Sequence, residues 1–160
     1  MLHTRPLVAS DQERLWHWLH IALWDPPPAG FRPLSVLEAP AVRIYAEGWG
    51  ARSDVGVVAV IDGKDVGACW MRLVPGGAGL AYVDNETPQL GIALEPGFQH
   101  RGYGKPLMLT ALSAAWTYGY QQVALTVHSE NPARFMYRGC GFQEVGLRGT
   151  YQLMVARSPS

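Results

Sequence analysis

The stretch that decides the fold runs from Leu90 to Leu107 and reads LGIALEPGFQHRGYGKPL. An apolar run ends at Pro96, a glycine-rich segment follows from Gln99 to Gly104, and Lys105-Pro106 opens a helical pattern. Glycines let a turn curl so that successive backbone N–H groups point inward. The first N–H groups of a helix have no acceptor within the helix and lie at the positive end of its dipole. This order of strand, glycine turn and helix start therefore predicts a phosphate site.

Two common phosphate fingerprints do not fit this turn. The dinucleotide pattern G-x-G-x-x-G needs a third glycine, but the next one after Gly104 is Gly119. The Walker loop needs Gly-Lys followed by Ser or Thr, whereas Pro106 follows Lys105 here. An ordinary connection between a strand and a helix that happens to carry glycines is the structural alternative.

A second motif lies downstream, after the strand-like segment from Gln122 to Val127. It reads Asn131-Pro-Ala-Arg-Phe-Met-Tyr137 and continues to Gly141-Phe142. With both blocks in this order, the sequence resembles the GNAT superfamily of acetyl-coenzyme A-dependent N-acetyltransferases. The resemblance extends over nearly the whole chain and is specific from about Pro88 to Phe142. The positions that match the two signatures are Leu94, Pro96, Gln99, Gly102 and Gly104, then Asn131, Tyr137, Gly141 and Phe142.

The resemblance implies a single α+β domain over residues 1–160, with a mixed, mostly antiparallel central sheet flanked by helices. A splayed strand pair in that sheet would form the cleft for coenzyme A (CoA). The implied activity is transfer of an acetyl group from acetyl-CoA to a primary amine by direct attack in a ternary complex. Two alternatives stay open: a non-catalytic CoA-binding or regulatory module, and a domain for another phosphate ligand such as a nucleotide.

The same resemblance implies a set of cofactor contacts. The turn from Gln99 to Gly104 would hold the pyrophosphate, and the backbone of Leu94 would pair with the pantetheine arm as an added strand would. Asn131 would lie near that arm or, since Asn-Pro commonly begins a helix, would cap the next helix instead. The cofactor-binding residues expected are Leu94, Gln99, His100, Arg101, Gly102, Gly104, Lys105 and Asn131.

Tyr137 is the catalytic residue that the resemblance implies. A thiol has a pKa near 8.5 and a phenol near 10, so complete proton transfer from tyrosine to thiolate is uphill by roughly 2 kcal/mol. Tyr137 is therefore expected to donate a hydrogen bond to the developing thiolate. Candidate bases for the amine are Asp84, Glu86 and Glu95, since Gln89 stands where related sequences often carry a glutamate.

Composition limits the partners that we expect. Thirteen basic residues balance 13 acidic ones, so no net field favours nucleic acid or membrane, and neither is expected as a partner. The expected partner is a small-molecule or peptide amine, and a homodimer is allowed. Cys69 and Cys140 are expected as reduced thiols of a cytoplasmic protein. No metal is expected, because the stripe of Glu13, His17 and His20 lacks further ligands.

Hydrophobic periodicity and turn residues predict the elements around these motifs. Ser10 is expected to cap the first helix, with Glu13 completing the capping box. The predicted strands are Leu2 to Val8, Val55 to Asp62, Asp65 to Val74, Ala81 to Val83, Leu90 to Leu94, Gln122 to Val127, Phe142 to Val145 and Thr150 to Ala156. The predicted helices are Asp11 to about Trp24, Val42 to Glu47, Gly104 to Tyr118 and Pro132 to Arg138, with an irregular connection at Asp25 to Pro28 and Pro33.

Overall fold

The computed structural model describes residues 1–27, 32–74 and 76–159. Its strands are β1 (Leu2–Pro6), β2 (Val55–Ile61), β3 (Lys64–Arg72), β4 (Gln89–Leu94), β5 (Gln122–His128), β6 (Gln143–Arg148) and β7 (Tyr151–Arg157). Its α-helices are α1 (Gln12–Ala22), α2 (Pro40–Arg43), α3 (Gly104–Tyr118) and α4 (Ala133–Gly139), and short 3-10 turns cover Ala9–Asp11, Leu34–Glu38 and Pro96–Phe98.

The described strands form one sheet of seven in the order β1-β2-β3-β4-β5-β7-β6. All neighbouring strands in it are antiparallel except β4 and β5, which are parallel. Helix α3 connects β4 to β5, and α4 lies between β5 and β6 along the chain. The α+β class and the mostly antiparallel sheet predicted from the sequence are therefore confirmed.

Two apolar cores cover the two faces of the sheet, because side chains alternate faces along each strand. Val57 and Ala59 of β2 belong to the core that contains α3 and α4, whereas the intervening Val58 packs with α1. The α1 core also holds Trp18 and Trp70, both with at most 1% of their surface exposed. Packed side chains therefore cover the sheet on both faces.

The turn between β2 and β3 shows how local residues set the register. Asp62 and Gly63 have φ angles of 51° and 76°, the left-handed pair that a two-residue hairpin requires. Further along β3, a Cβ on Gly67 would lie 2.3 Å from the carbonyl oxygen of Ala93. Glycine at this position therefore lets β3 and β4 approach along their whole length.

Three expectations about local structure are wrong. Ser10 does not cap α1: the helix begins at Gln12, and the carboxylate of Asp11 instead accepts from the Val8 N–H at 2.9 Å. Residues 81–83 are not a strand, because their backbone is held by side chains rather than by a neighbouring strand. The second helix is shorter and earlier than expected, at Pro40–Arg43, and turns follow it.

The remaining boundaries differ by a few residues, as helix and strand ends commonly do. The first helix ends at Ala22 rather than near Trp24. Part of the connection expected after it falls on residues 28–31, outside the described residues. Within the residues that the structure describes, no helix is long and apolar enough to cross a membrane.

Candidate functional site

The cleft begins where β4 and β5 separate. β3 and β4 pair continuously from Gly67–Leu94 to Arg72–Gln89, whereas β4 pairs with β5 only at Gln89 and Ala124. Beyond that point the two parallel strands diverge, so the β5-facing side of β4 has no strand to bond with. An edge of this kind can pair with an extended ligand as with an added strand. The splayed pair predicted from the sequence is present.

The turn after β4 has the backbone shape that the glycine pattern predicts. Gly102 has a φ of 83°, and an added Cβ there would meet nothing within 4 Å. His100, although not a glycine, has a φ of 61°. The side-chain amide of Gln99 donates to the Leu94 carbonyl at 2.8 Å. Gln99 therefore ties the turn to the end of β4, while Gly102 leaves its backbone uncovered.

The start of α3 completes the turn. In the described part of the chain, no protein acceptor satisfies the N–H groups of residues 100–105. The side chains of Arg101 and Lys105 are exposed beside these groups, and the Arg101 guanidinium lies 5.8 Å from the centre of the Phe98 ring. A Cβ on Gly104 would lie 2.9 Å from the Met136 methyl, so α4 packs closely on this helix start. Unpaired donors and two cations suit a diphosphate.

A cavity of about 600 Å³ opens beside the splayed strands. Its walls come from α1 and the segment after it, α2, β3, β4, β5, β7 and the start of α4. The lining residues are Leu19, Ala22, Leu23, Trp24, Arg32, Ala41, Val42, Tyr45, Trp70, Gly79, Leu80, Ala81, Leu90, Gly91, Ile92, Leu125, Thr126, Val127, His128, Asn131, Tyr137 and Tyr151. Of the predicted site residues, Tyr137 and Asn131 line this cavity.

Tyr137 is buried, yet its hydroxyl is available. Only 8% of the residue is exposed, and its ring lies 6.3 Å from that of Phe142, centre to centre. Every fully enclosed side-chain N or O atom among the described residues has a hydrogen-bond partner. The Tyr137 hydroxyl has no partner among them, so it keeps some accessible surface, and the residue lines the cavity. Burial is the main cause that raises the pKa of Tyr137 above its ordinary value. The phenol is therefore a donor and not a base at neutral pH.

Asn131 has a structural role at the start of α4. Its side-chain oxygen accepts from the Ala133 N–H at 2.9 Å, and its backbone N–H donates to the His128 carbonyl at 2.9 Å. This geometry agrees with the capping alternative. The cap orients the helix that carries Tyr137, and Asn131 itself belongs to the cavity wall.

The three carboxylates considered as bases lie outside the cavity wall. Glu95 accepts from the Trp18 indole N–H at 3.2 Å and lies 2.9 Å from the His17 ring nitrogen. Asp84 accepts from the Thr87 hydroxyl at 2.8 Å, a bond that lowers the pKa of Asp84. Glu86 is exposed in the same turn. None of the three is among the cavity-lining residues that the structure describes.

Gln89 is a site-forming residue whose role the sequence did not indicate. Its side-chain oxygen accepts from the Tyr45 hydroxyl at 2.7 Å and from the Ala81 N–H at 3.2 Å, and its nitrogen donates to the Ala78 carbonyl at 2.9 Å. A Cβ on Gly79 would lie 2.3 Å from this amide. Gln89 therefore holds residues 78–81 in one wall of the cavity. The segment that was predicted as a strand begins at the end of this wall, at Ala81.

A second wall also has no sequence signal, and it is formed by Trp24, Arg32, His128 and Tyr151. Arg32 donates to both carboxylate oxygens of Asp25, at 3.0 and 3.2 Å, and to the Tyr151 hydroxyl at 2.6 Å. The Arg32 guanidinium lowers the pKa of Asp25. The His128 ring lies 5.7 Å from Trp24 and 5.4 Å from Tyr151, centre to centre. This wall is aromatic, and the charges of Arg32 and Asp25 compensate each other.

Comparison with known families agrees with the fold and the cleft. The model of the acetyltransferase (GNAT) family matches residues 16–142. The chain belongs to this family of acyltransferases, whose co-substrate is acetyl-CoA. The match includes both the turn at Gln99–Gly104 and the Asn131–Tyr137 motif.

Individual relatives are more distant. The ribosomal protein bS18-alanine N-acetyltransferase of Haemophilus influenzae is 36% identical over 67 residues, which are 42% of this chain and 46% of the relative. The chain thus matches less than half the length of this curated relative. Among solved structures, the PaiA N-acetyltransferase of Thermoplasma acidophilum in complex with coenzyme A has a TM-score of 0.67 at 18% identity, over 99% of each chain.

Two other solved structures show the same fold. The GNAT domain of S. lividans PAT has a TM-score of 0.69 at 16% identity, over 98% of this chain and 90% of that one. The dodecameric spermidine N-acetyltransferase of Vibrio cholerae has a TM-score of 0.64 at 18% identity, over 98% of this chain and 93% of that one. At these identities the likeness establishes the fold alone.

Proposed function

We propose that this chain transfers an acetyl group from acetyl-CoA to a primary amine by direct attack in a ternary complex. One observation carries the proposal: the structure combines an open strand edge, a turn with unpaired N–H groups and a cavity that Tyr137 lines. Each part suits one portion of the reaction, namely the pantetheine arm, the diphosphate and the reacting groups. A binding module without turnover would not need the phenol in the cavity.

The donor would be held mainly by backbone groups. The unpaired N–H groups of residues 100–105 support diphosphate binding, with Arg101 and Lys105 adding charge that solvent screens. Gln99 would act by holding the turn against Leu94, because its amide is committed to that carbonyl. A carbonyl oxygen has two lone pairs, so Leu94 keeps one for the pantetheine arm.

Tyr137 would assist departure of the thiolate. The amine nitrogen attacks the thioester carbonyl carbon, the carbon–sulfur bond breaks, and the sulfur takes the electron pair. Because burial raises the pKa of Tyr137, the phenol would stay protonated and donate a hydrogen bond to the sulfur. Preorganised donors at a developing charge lower the barrier without reorganisation at the moment of reaction. The surplus proton of the nitrogen passes to solvent.

The amine would react as its free base. An alkylamine with a pKa near 10.4 is only about 0.04% neutral at pH 7, and an apolar cavity lowers the pKa of an amine that enters it. No carboxylate among the described cavity-lining residues would hold the charged form. Much of the rate would then come from holding the amine against the thioester, which can supply about 7–11 kcal/mol.

The experiment separates donor binding from turnover. Calorimetric titration with acetyl-CoA, ATP and NAD would show saturable binding of acetyl-CoA alone, and thiol release would then be followed with a panel of primary amines. Amine-dependent thiol release supports the proposal. Acetyl-CoA binding without release from any amine supports the regulatory module instead, and preferential binding of ATP or NAD contradicts the assignment of the turn.

We propose the cytoplasm as the compartment. Cys69 and Cys140 are free thiols in the structure, and burial raises the pKa of both. Unreactive, unpaired cysteines suit a reducing environment. A small-molecule or peptide amine as partner, and a homodimer as assembly, stay predictions.

A further inference from the structure

The residues that line the cavity indicate which class of amine the site accepts. Six aromatic or imidazole rings belong to it: Trp24, Tyr45, Trp70, His128, Tyr137 and Tyr151. Aliphatic side chains of α1, β4 and β5 fill most of the rest. Its volume of about 600 Å³ is in the range of pockets for small organic ligands.

The charge of the wall is as distinctive as its shape. Among the described residues that line the cavity there is no aspartate or glutamate, and the one arginine is Arg32. Arg32 is paired with Asp25 through two hydrogen bonds and with Tyr151 through a third.

These lining groups would bind a polyamine weakly. Buried charges require a partner of opposite sign, and a second ammonium group inside the cavity would find no carboxylate among the described lining residues. A free amino acid would meet the opposite difficulty, because the positive charge of Arg32 is already balanced by the Asp25 carboxylate. An apolar ring, in contrast, would pack against Trp24 and Leu23 at no electrostatic cost.

From this wall we infer that the acceptor is an arylalkylamine, an aromatic ring on a short chain with the reacting amine as its one charged group. The inference rests on the proposed function and specifies its substrate class. The ring occupies the aromatic end near Trp24 and Tyr151, and the nitrogen extends toward the Tyr137 hydroxyl. Ring burial, rather than an ion pair, supplies the binding energy.

The first test compares three acceptors with the wild-type protein and acetyl-CoA: 2-phenylethylamine, spermidine and L-phenylalanine. We expect kcat/KM for 2-phenylethylamine to exceed each of the others by about tenfold or more, since burying a side chain of that size contributes this much. A higher kcat/KM for spermidine, or for L-phenylalanine, overturns the inference while leaving acetyl transfer in place.

A binding test does not depend on turnover. The CoA-loaded protein is titrated with N-acetyl-2-phenylethylamine and with N1-acetylspermidine. Saturable binding of the first and weaker binding of the second support the inference, even where no amine releases thiol and the proposed function fails. Equal or reversed affinities contradict it.

A pair of variants tests the charge of the wall directly. Ala41 is exposed on α2 and lines the cavity, whereas Ser35 is exposed in the preceding 3-10 turn and does not line it. Ala41→Glu should shift the kcat/KM ratio at least about fivefold toward spermidine, because a carboxylate now faces the second ammonium group. Ser35→Glu, with the same added charge, should leave the ratio as it is. An equal shift in both variants would mean that general electrostatic attraction sets the preference.

Discussion

The glycine turn after β4 and the cavity beside the splayed strands are built in opposite ways. The turn is one contiguous segment, residues 99–105, and it offers backbone N–H groups whose direction depends on left-handed residues. The cavity combines side chains from seven elements and the segments between them, and one buried amide, that of Gln89, holds a wall in place. The proposed diphosphate site therefore depends little on side chains, whereas the cavity changes with every residue that lines it.

A substitution at Gly102 should have the largest effect on acetyl-CoA binding. A β-branched residue at a φ of 83° costs on the order of 1–2 kcal/mol, and its side chain would also stand between the phosphates and the N–H groups. Gly102→Val should therefore weaken acetyl-CoA binding by about 30-fold or more, which corresponds to about 2 kcal/mol. Calorimetric titration measures this loss.

The matched control for Gly102→Val is Gly149→Val. Gly149 also has a left-handed φ, 64°, and an added Cβ there would meet nothing within 4 Å. It lies in the turn between β6 and β7, outside the cleft, so the same backbone strain should leave acetyl-CoA affinity unchanged. If the two variants lose affinity equally, the turn at Gly102 has no special part in binding.

Removal of the Tyr137 hydroxyl should have the next largest effect, on turnover. Tyr137→Phe removes one hydroxyl from the cavity and should lower turnover at least about tenfold, the usual lower range for loss of a transition-state donor. Acetyl-CoA affinity should stay unchanged, since the turn is intact. Steady-state thiol release and titration measure the two quantities separately.

Tyr120→Phe is the control for that substitution. The Tyr120 hydroxyl donates to the Ser53 carbonyl at 2.6 Å and does not line the cavity, so its loss should affect stability and not turnover. Unchanged turnover in Tyr137→Phe would remove that residue from the mechanism, and a similar loss in both variants would indicate a general effect of weakened packing.

The same contrast explains what the sequence could predict. The turn was predictable because its chemistry comes from glycines and a helix start at fixed spacing, and the splay of β4 from β5 followed from the family resemblance. Gln89 was noted only for the missing glutamate, because nothing in a sequence shows that an amide will meet Tyr45 and Ala78 from distant segments. Residues 81–83 were misread as a strand for the same reason: their partners are side chains, including Gln89, and not another strand.

A substitution of Gln89 should destabilise the cavity wall. Gln89→Leu would leave the Ala81 N–H and the Ala78 carbonyl without partners, which costs about 2–4 kcal/mol of unfolding free energy. Thermal unfolding should occur roughly 4–16 °C lower for a chain of this size. Gln143→Leu, on the exposed strand β6, should change stability by no more than about 0.5 kcal/mol. Acceptor KM should rise in the first variant, whereas acetyl-CoA affinity, which depends on the turn, should stay near that of the wild type.

The smallest expected effect concerns the pH dependence of kcat, which should show no loss of activity at moderately alkaline pH. Burial raises the pKa of Tyr137 above the ordinary phenol value of about 10, so the donor stays protonated as the pH increases from about 7 to 9. With the amine saturating, kcat should not fall over that interval, because the phenol loses its proton only at higher pH. A decline in kcat with a midpoint below about pH 9 would show that a more acidic group is the donor. Repeating the profile with Tyr137→Phe identifies the source: if the decline persists, it belongs to another residue, and the role of the cavity phenol must be reassigned.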